Sequence, residues 1–234
     1  MSEIQRNVDR LRSTLIAEQR EAIVAIGQFA SAQNLEGTSP SKVEVLKALI
    51  PLLRSESLRP LVQETLSRFG TTAFQRLVVD VQRNHQGIAR YAADALLAIE
   101  PDPKGIRFLV WLVAAVKRKS PAQRRLMFLS IRLAQANPAS FAMLLTEKSV
   151  TTKLQVAEIL WESGQNQGEV VAVAIELLGQ EKVGERTLEL LIRIGPEAVD
   201  AIPELLALAF AKPNGGIVQV LGAIGPSSIS ALTQ

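Results

Sequence analysis

Leu191-Ile192-Arg193-Ile194-Gly195-Pro196 and Leu221-Gly222-Ala223-Ile224-Gly225-Pro226 lie 30 residues apart and share the pattern Leu-x-x-Ile-Gly-Pro. Carried backwards, the same register meets Leu160-Trp161-Glu162-Ser163-Gly164, Leu96-Leu97-Ala98-Ile99-Glu100 and Leu66-Ser67-Arg68-Phe69-Gly70, with one further unit centred on Ser130. The resulting column reads Leu66, Leu96, Ser130, Leu160, Leu191, Leu221, in steps of 30, 34, 30, 31 and 30 residues. Three residues later a second column reads Phe69, Ile99, Leu133, Ser163, Ile194, Ile224. Two mainly apolar columns three apart form one buried stripe of a helix. Their recurrence at a fixed period marks a repeat architecture.

Each unit has room for two helical segments. The periodicity predicts Ser41–Arg54 with Ser57–Phe69, Thr71–Arg83 with Gln86–Ile99, and Pro103–Lys117 with Pro121–Gln135. It continues with Pro138–Leu145 and Ser149–Ser163, Gln167–Gly179 and Glu181–Ile194, and Pro196–Ala211 and Asn214–Ile224. Pro103, Pro121, Pro138, Pro196 and Pro226 fall in first turns, where a missing N–H costs nothing. Gly70, Gly164, Gly195 and Gly225 fall at helix ends, where a positive φ is often required. Ser120, Asn137 and Ser149 are N-cap candidates. No segment alternates apolar and polar residues between turn dipeptides, so no strand is expected. Nearer the N-terminus, Ile4, Val8, Leu11 and Leu15 form one stripe, and Ala22, Ile23, Ile26 and Phe29 another. Residues 1–35 therefore read as a helix pair or one long capping helix, followed by a surface insertion over Asn34–Ser41.

Helix pairs repeating about every 30 residues imply an all-α fold, a right-handed α-α superhelix of about seven helix pairs in one domain spanning residues 1–234. Ala198-Val199-Asp200-Ala201-Ile202-Pro203-Glu204-Leu205-Leu206 and Lys47-Ala48-Leu49-Ile50-Pro51-Leu52-Leu53 both carry a proline inside the first helix of a pair. A kinked first helix followed by a second ending in Leu-x-x-Ile-Gly resembles the HEAT repeats of the armadillo-like solenoids. The likeness is greatest to the short repeats of phycobilisome bilin lyases, and it covers the chain from about residue 41 onward. The resemblance implies the fold; HEAT solenoids serve many unrelated tasks. The last unit stops part-way through a first helix, so a continuation of the chain or a second chain is expected to cover Ile224, Ile229 and Leu232.

Composition narrows the chemistry. The chain has 234 residues, 47% of them hydrophobic and 4% aromatic, with a formal charge of +3. That is apolar enough for a sizeable core. It contains no cysteine, which excludes disulfides, thiolate metal sites and cysteine nucleophiles. Its one histidine, His85, cannot build a multi-histidine metal site, and its place in an inter-helix turn reads as a loop or cap residue. Acidic residues recurring every 30 positions are spaced too far apart to share one ion. Asn214-Gly215-Gly216 lacks the Lys-Ser/Thr of a phosphate loop and reads as a turn. No catalytic residue, metal ligand or cofactor is assigned. Without an apolar run of membrane-spanning length or a secretory signal, a cytoplasmic location is expected.

Charge is distributed unevenly. Residues 1–102 carry 12 basic and 12 acidic side chains. Residues 103–146 carry eight basic and no acidic ones: Lys104, Arg107, Lys117, Arg118, Lys119, Arg124, Arg125 and Arg132. Residues 147–204 carry five basic and 11 acidic ones. The functional reading is that Lys117, Arg118, Lys119, Arg124, Arg125 and Arg132 bind an acidic partner, foremost a protein with an acidic surface or segment, with nucleic acid or a membrane surface as the alternatives. The plainer reading is a solvated inter-helix turn. Opposite blocks could also attract between copies and favour a homo-oligomer. Two polar columns, Glu64, Asp94, Phe128, Glu158, Glu189, Gln219 and, four residues on, Arg68, Ala98, Arg132, Glu162, Arg193, Ala223, suggest salt bridges within helices or a mixed-charge groove.

The expected function is therefore a non-enzymatic interaction or scaffold module. Two alternatives follow from the resemblance. In bilin lyases, paired HEAT subunits position a tetrapyrrole for attachment to a partner's cysteine. HEAT-like DNA glycosylases need a catalytic carboxylate in an aromatic, basic cleft, for which Tyr91, Asp94 and Trp111 are the thin match here. Trp111 and Trp161 otherwise read as core residues, and nucleic-acid binding wants exposed aromatics.

Overall fold

The computed structural model describes residues 2–31, 41–84, 87–99, 101–211, 214–226 and 228. His85, Ile229, Leu232 and most of the insertion over Asn34–Ser41 lie outside them. Among the described residues the chain is all-α, with no strand. The helices fall into seven successive pairs. The first four are α1 (Glu3–Arg10) with α2 (Ile16–Ser31), α3 (Lys42–Leu49) with α4 (Arg59–Ser67), α5 (Gly70–Arg83) with α6 (Ala89–Ala98), and α7 (Pro103–Ala115) with α8 (Pro121–Ala136). The remainder are α9 (Pro138–Ala142) with α10 (Val150–Glu162), α11 (Gln167–Leu177) with α12 (Gly184–Ile194), and α13 (Ile202–Ala211) with α14 (Gly215–Ile224).

The chain divides into two compact units: Met1–Leu112 with Val116–Leu129, and Val113–Ala115 with Ser130–Gln234. In the first, α1 packs on α2 and α5 on α6, while the second helices of consecutive pairs meet, α2 on α4 and α4 on α6. In the second, α10 packs on α11 and α13 on α14, and again the second helices meet, α10 on α12 and α12 on α14. All twelve positions of the two sequence columns are buried, from Leu66 and Phe69 through Ser130 and Ser163 to Leu221 and Ile224. Two side chains of α5, Phe74 and Leu77, are among the largest fully buried groups of the first unit.

Punctuation works as the residue chemistry requires. Ser2, Ser41 and Ser149 accept a backbone N–H of their helix, and Ser41 with Glu44 completes a capping box. Gly195 and Gly225, 30 residues apart, end α12 and α14 at φ 65°, ψ −130° and φ 86°, ψ −147°. That region is essentially reserved for glycine.

Several expectations are corrected. The first helices carrying an internal proline change type along their length instead of running as one α-helix. After Leu49 the chain tightens into a 3-10 turn, Ile50–Arg54, with Pro51 in its first turn. A 3-10 segment, Gly195–Ala201, likewise precedes α13 and its Pro203. Proline has no N–H for the α ladder, which suits the change to 3-10 geometry at Pro51; in the second case the departure from helical geometry is at Ala198 (φ −83°, ψ 19°), ahead of Pro203. Residues 2–31 form two helices, which leaves Leu15 beyond the end of α1 and 58% exposed. Asn137 makes no side-chain cap. Ile224 is covered by its own unit at 2% exposure, and the Ser228 hydroxyl donates back to the Leu221 carbonyl at 2.8 Å.

Candidate interaction surface

Two helix starts position the basic segment. Asp102 caps α7, one carboxylate oxygen accepting from the Gly105 N–H at 2.6 Å and the other bonded to the Thr71 hydroxyl. Ile106, Leu109 and Val110 face inward, so Lys104, Arg107 and Trp111, at i, i+3 and i+7, lie on the opposite face and are exposed. After α7 the chain turns extended at Val116, and Lys119 takes a left-handed φ of 62°. For a residue with a Cβ that conformation costs roughly 1–2 kcal/mol. The Gln123 side chain holds it there, accepting from the Lys119 N–H at 2.6 Å, while the Gln123 N–H donates to the Ser120 hydroxyl at 3.1 Å. Ser120 is thus the N-cap of α8, as the sequence predicts.

The six basic residues singled out by charge do not stand alike. Lys117, Arg118, Lys119 and Arg124 are exposed at the turn and the first helical turn of α8. Arg125 is half-buried, and its guanidinium donates to the carbonyls of Val81 at 2.9 Å and Gln82 at 2.6 Å. These are carbonyls of the last turn of α5, where a cation also meets the negative helix end. Arg125 therefore anchors α8. Arg132 is exposed and lies in the segment assigned to the second unit.

α8 begins with no acid in its first turn and three basic residues just before it. The N-terminus of a helix carries about half a positive charge, so cations there are unfavourable.

Exposure of the aromatics corrects the reading of Trp111 as core. Trp111 is 59% exposed and Phe128 63% exposed. The Phe108 ring packs beside Trp111 with centroids 5.9 Å apart. Trp161 is half-buried. Each of α7 and α8 thus displays cations next to an exposed ring: Lys104 and Arg107 near Trp111, and Arg124 one turn before Phe128. The signal was present in the sequence, since Phe128 fell in a polar column and Trp111 shares the helix face of Lys104 and Arg107. Tyr91 of the glycosylase-like trio is half-buried, with the Arg59 guanidinium 5.0 Å above its ring. Among the described residues no three His, Asp or Glu side chains converge as a metal site would need.

The polar columns resolve into two kinds of pair. Glu64 and Arg68 form the expected bridge within α4 at 2.8 Å. Glu158 instead is buried, 5% exposed, and joins consecutive repeats. Arg186 donates to its carboxylate at 2.7 Å and to Gln155 at 3.1 Å, and Arg193 reaches Glu158 at 3.5 Å and Glu162 at 2.6 Å. This network ties α10 to α12 within the second unit.

No family model and no curated protein matches the chain. Matching solved structures include an engineered protein at 17% identity, with 96% of this chain and 99% of that chain covered and a TM-score of 0.36. Designed armadillo repeat protein YIII(Dq)4CqI matches at 17% identity, 97% and 100% coverage and a TM-score of 0.33. Another designed armadillo repeat protein, in complex with the peptide (KR)4, matches at 17% identity, 96% and 100% coverage and a TM-score of 0.34. At this level of similarity nothing is carried across, and the helical-repeat architecture stands on the chain's own helix order and buried columns.

Proposed function

We propose that this chain is a non-enzymatic interaction module that binds an acidic protein segment through Lys117, Arg118, Lys119 and Arg124, with Lys104 and Arg107 contributing. The observation that carries this reading is the placement of those cations at the positive end of α8, where they disfavour the helix and where Gln123 holds a strained Lys119. Local rules broken at a helix start are a mark of functional positions. Exposed Trp111 supplies an anchor of the kind that dominates binding energy in protein interfaces. Arg125 belongs to the scaffold of this surface.

One observation favours a second reading. Exposed aromatics beside arginines also suit single-stranded nucleic acid, whose bases stack on rings while phosphates meet cations. The bilin-lyase likeness rests on repeat length alone, and no residue arrangement in either unit adds to it.

Affinity capture from a source-cell lysate, with and without nuclease, tests the proposal against the variant Lys117→Glu/Lys119→Glu/Arg124→Glu. An acidic protein that survives nuclease and is lost with the variant is the expected result. Capture abolished by nuclease moves the function to nucleic acid. A partner retained at full strength by the variant would place the interface elsewhere.

A further inference from the structure

A cavity of about 280 Å³ lies in the first unit between α3 with its 3-10 extension and α5. Its walls carry Lys47 and Arg54 on one side and Arg76 and Arg83 on the other. Both pairs are spaced i, i+7, and the two pairs are offset by 29 residues, so they occupy equivalent positions of consecutive repeats. One carboxylate, Asp80, shares the cavity. It is 6% exposed and accepts from the Arg76 Nε at 3.1 Å. That bond uses the Nε–H donor of Arg76. Ile50, Pro51 and Ile88 supply an apolar wall.

Four cations thus line one cavity with a single carboxylate, itself bonded to Arg76. Like charges gathered so closely repel, and an anion between them relieves the repulsion. The geometry points to a binding site for a phosphate monoester dianion. Arginine forks match phosphate oxygens in pairs, lysine adds a point charge, and cations on both walls suit a doubly charged group better than a single carboxylate. The volume fits a phosphoryl group with a short organic stem against the apolar wall, and falls below the range of drug-sized pockets. The group could arrive as a free small phosphate or on a phosphorylated segment. This site is separate from the basic turn at α8, and its test needs no partner protein.

Calorimetric titration of O-phosphoserine into the full chain tests it, with serine as the reference that lacks the phosphoryl group. The paired variants are Lys47→Gln/Arg83→Gln at the cavity and Lys148→Gln/Lys182→Gln away from it; all four side chains are exposed, and circular dichroism checks the fold of each. The expected result is one saturable site with Kd near or below ~1 mM, no serine binding, a loss of about tenfold or more in the cavity variant, and less than about twofold in the other. Affinity should also fall as the pH drops through ~6, where the dianion takes up a proton. A blocked phosphoserine peptide binding more tightly than the amino acid would support a phosphorylated segment, and the reverse order a free phosphate. Absence of saturation by ~10 mM, or equal loss in both variants, would overturn the proposal.

Discussion

Glu158→Gln is the substitution whose outcome follows most directly from the packing between repeats. The carboxylate is 5% exposed and serves Arg186 at 2.7 Å and Arg193 at 3.5 Å. Removing one partner of a fully buried ion pair costs about 3–5 kcal/mol, because the remaining charge is stranded. Here the arginine side chains keep 22% and 39% exposure, so water recovers part of that loss. Arg193 also keeps Glu162, and an exposed pair of that kind is worth about 0.2–1 kcal/mol. Discounted in this way, Glu158→Gln should destabilise by about 2–3 kcal/mol, whereas Glu162→Gln should cost less than about 1 kcal/mol. Urea unfolding measures both, and the denaturant slope should stay constant if only stability changes. A double-mutant cycle with Arg186→Met isolates the pair and should return a coupling of about 1–2 kcal/mol. Equal costs for Glu158→Gln and Glu162→Gln, or a coupling near zero, would refute the claim that this carboxylate joins the repeats.

Further substitutions probe the frame. Gly195→Ala should cost about 1–3 kcal/mol in urea unfolding; the nearest atom to the added Cβ is the Ala223 carbonyl oxygen at an ordinary 3.7 Å, so the cost would come from the backbone and not from crowding. Gly105→Ala puts a Cβ 2.8 Å from the Phe74 ring and should cost about 1–3 kcal/mol by overpacking, partly relieved by Phe74→Leu in the same chain. For the tryptophans, Trp161→Phe leaves only Trp111, whose emission should be red-shifted and strongly quenched by iodide. Trp111→Phe leaves the half-buried Trp161, which should be quenched less; the opposite order would contradict the exposed placement of Trp111.

How far the sequence could be read depends on which force decides each residue. The buried stripe was legible because hydrophobic burial acts on every repeat alike, so even Ser130 and Ser163 could be placed in the core by column position alone. Glycine at helix ends was legible because positive φ is a local requirement. Glu158 was not: its column neighbours Glu64 and Glu189 are exposed, and its burial depends on Arg186 arriving from the next repeat. Arg125 was misplaced for the same reason, since its acceptors lie 43 and 44 residues away in sequence. Charge counting registers a cation but not the carbonyls that hold it. Asp80 was recoverable in part, because Arg76 four residues earlier announces a helical pair, but the cavity around it needs two repeats packed together. Trp111 was read by residue type when its helical face, shared with Lys104 and Arg107, was the better guide.

The central claim is that the cations at the start of α8 serve binding at the expense of the helix. Measuring one variant twice tests it: Lys117→Glu/Lys119→Glu/Arg124→Glu, in urea unfolding and in titration with an oligoglutamate peptide at low salt. Acidic side chains at a helix N-terminus are favourable, so the expected result is an unchanged or higher unfolding midpoint together with a loss of peptide affinity of about tenfold or more. A lower midpoint with peptide affinity unchanged would show that these residues serve the fold and would contradict the claim.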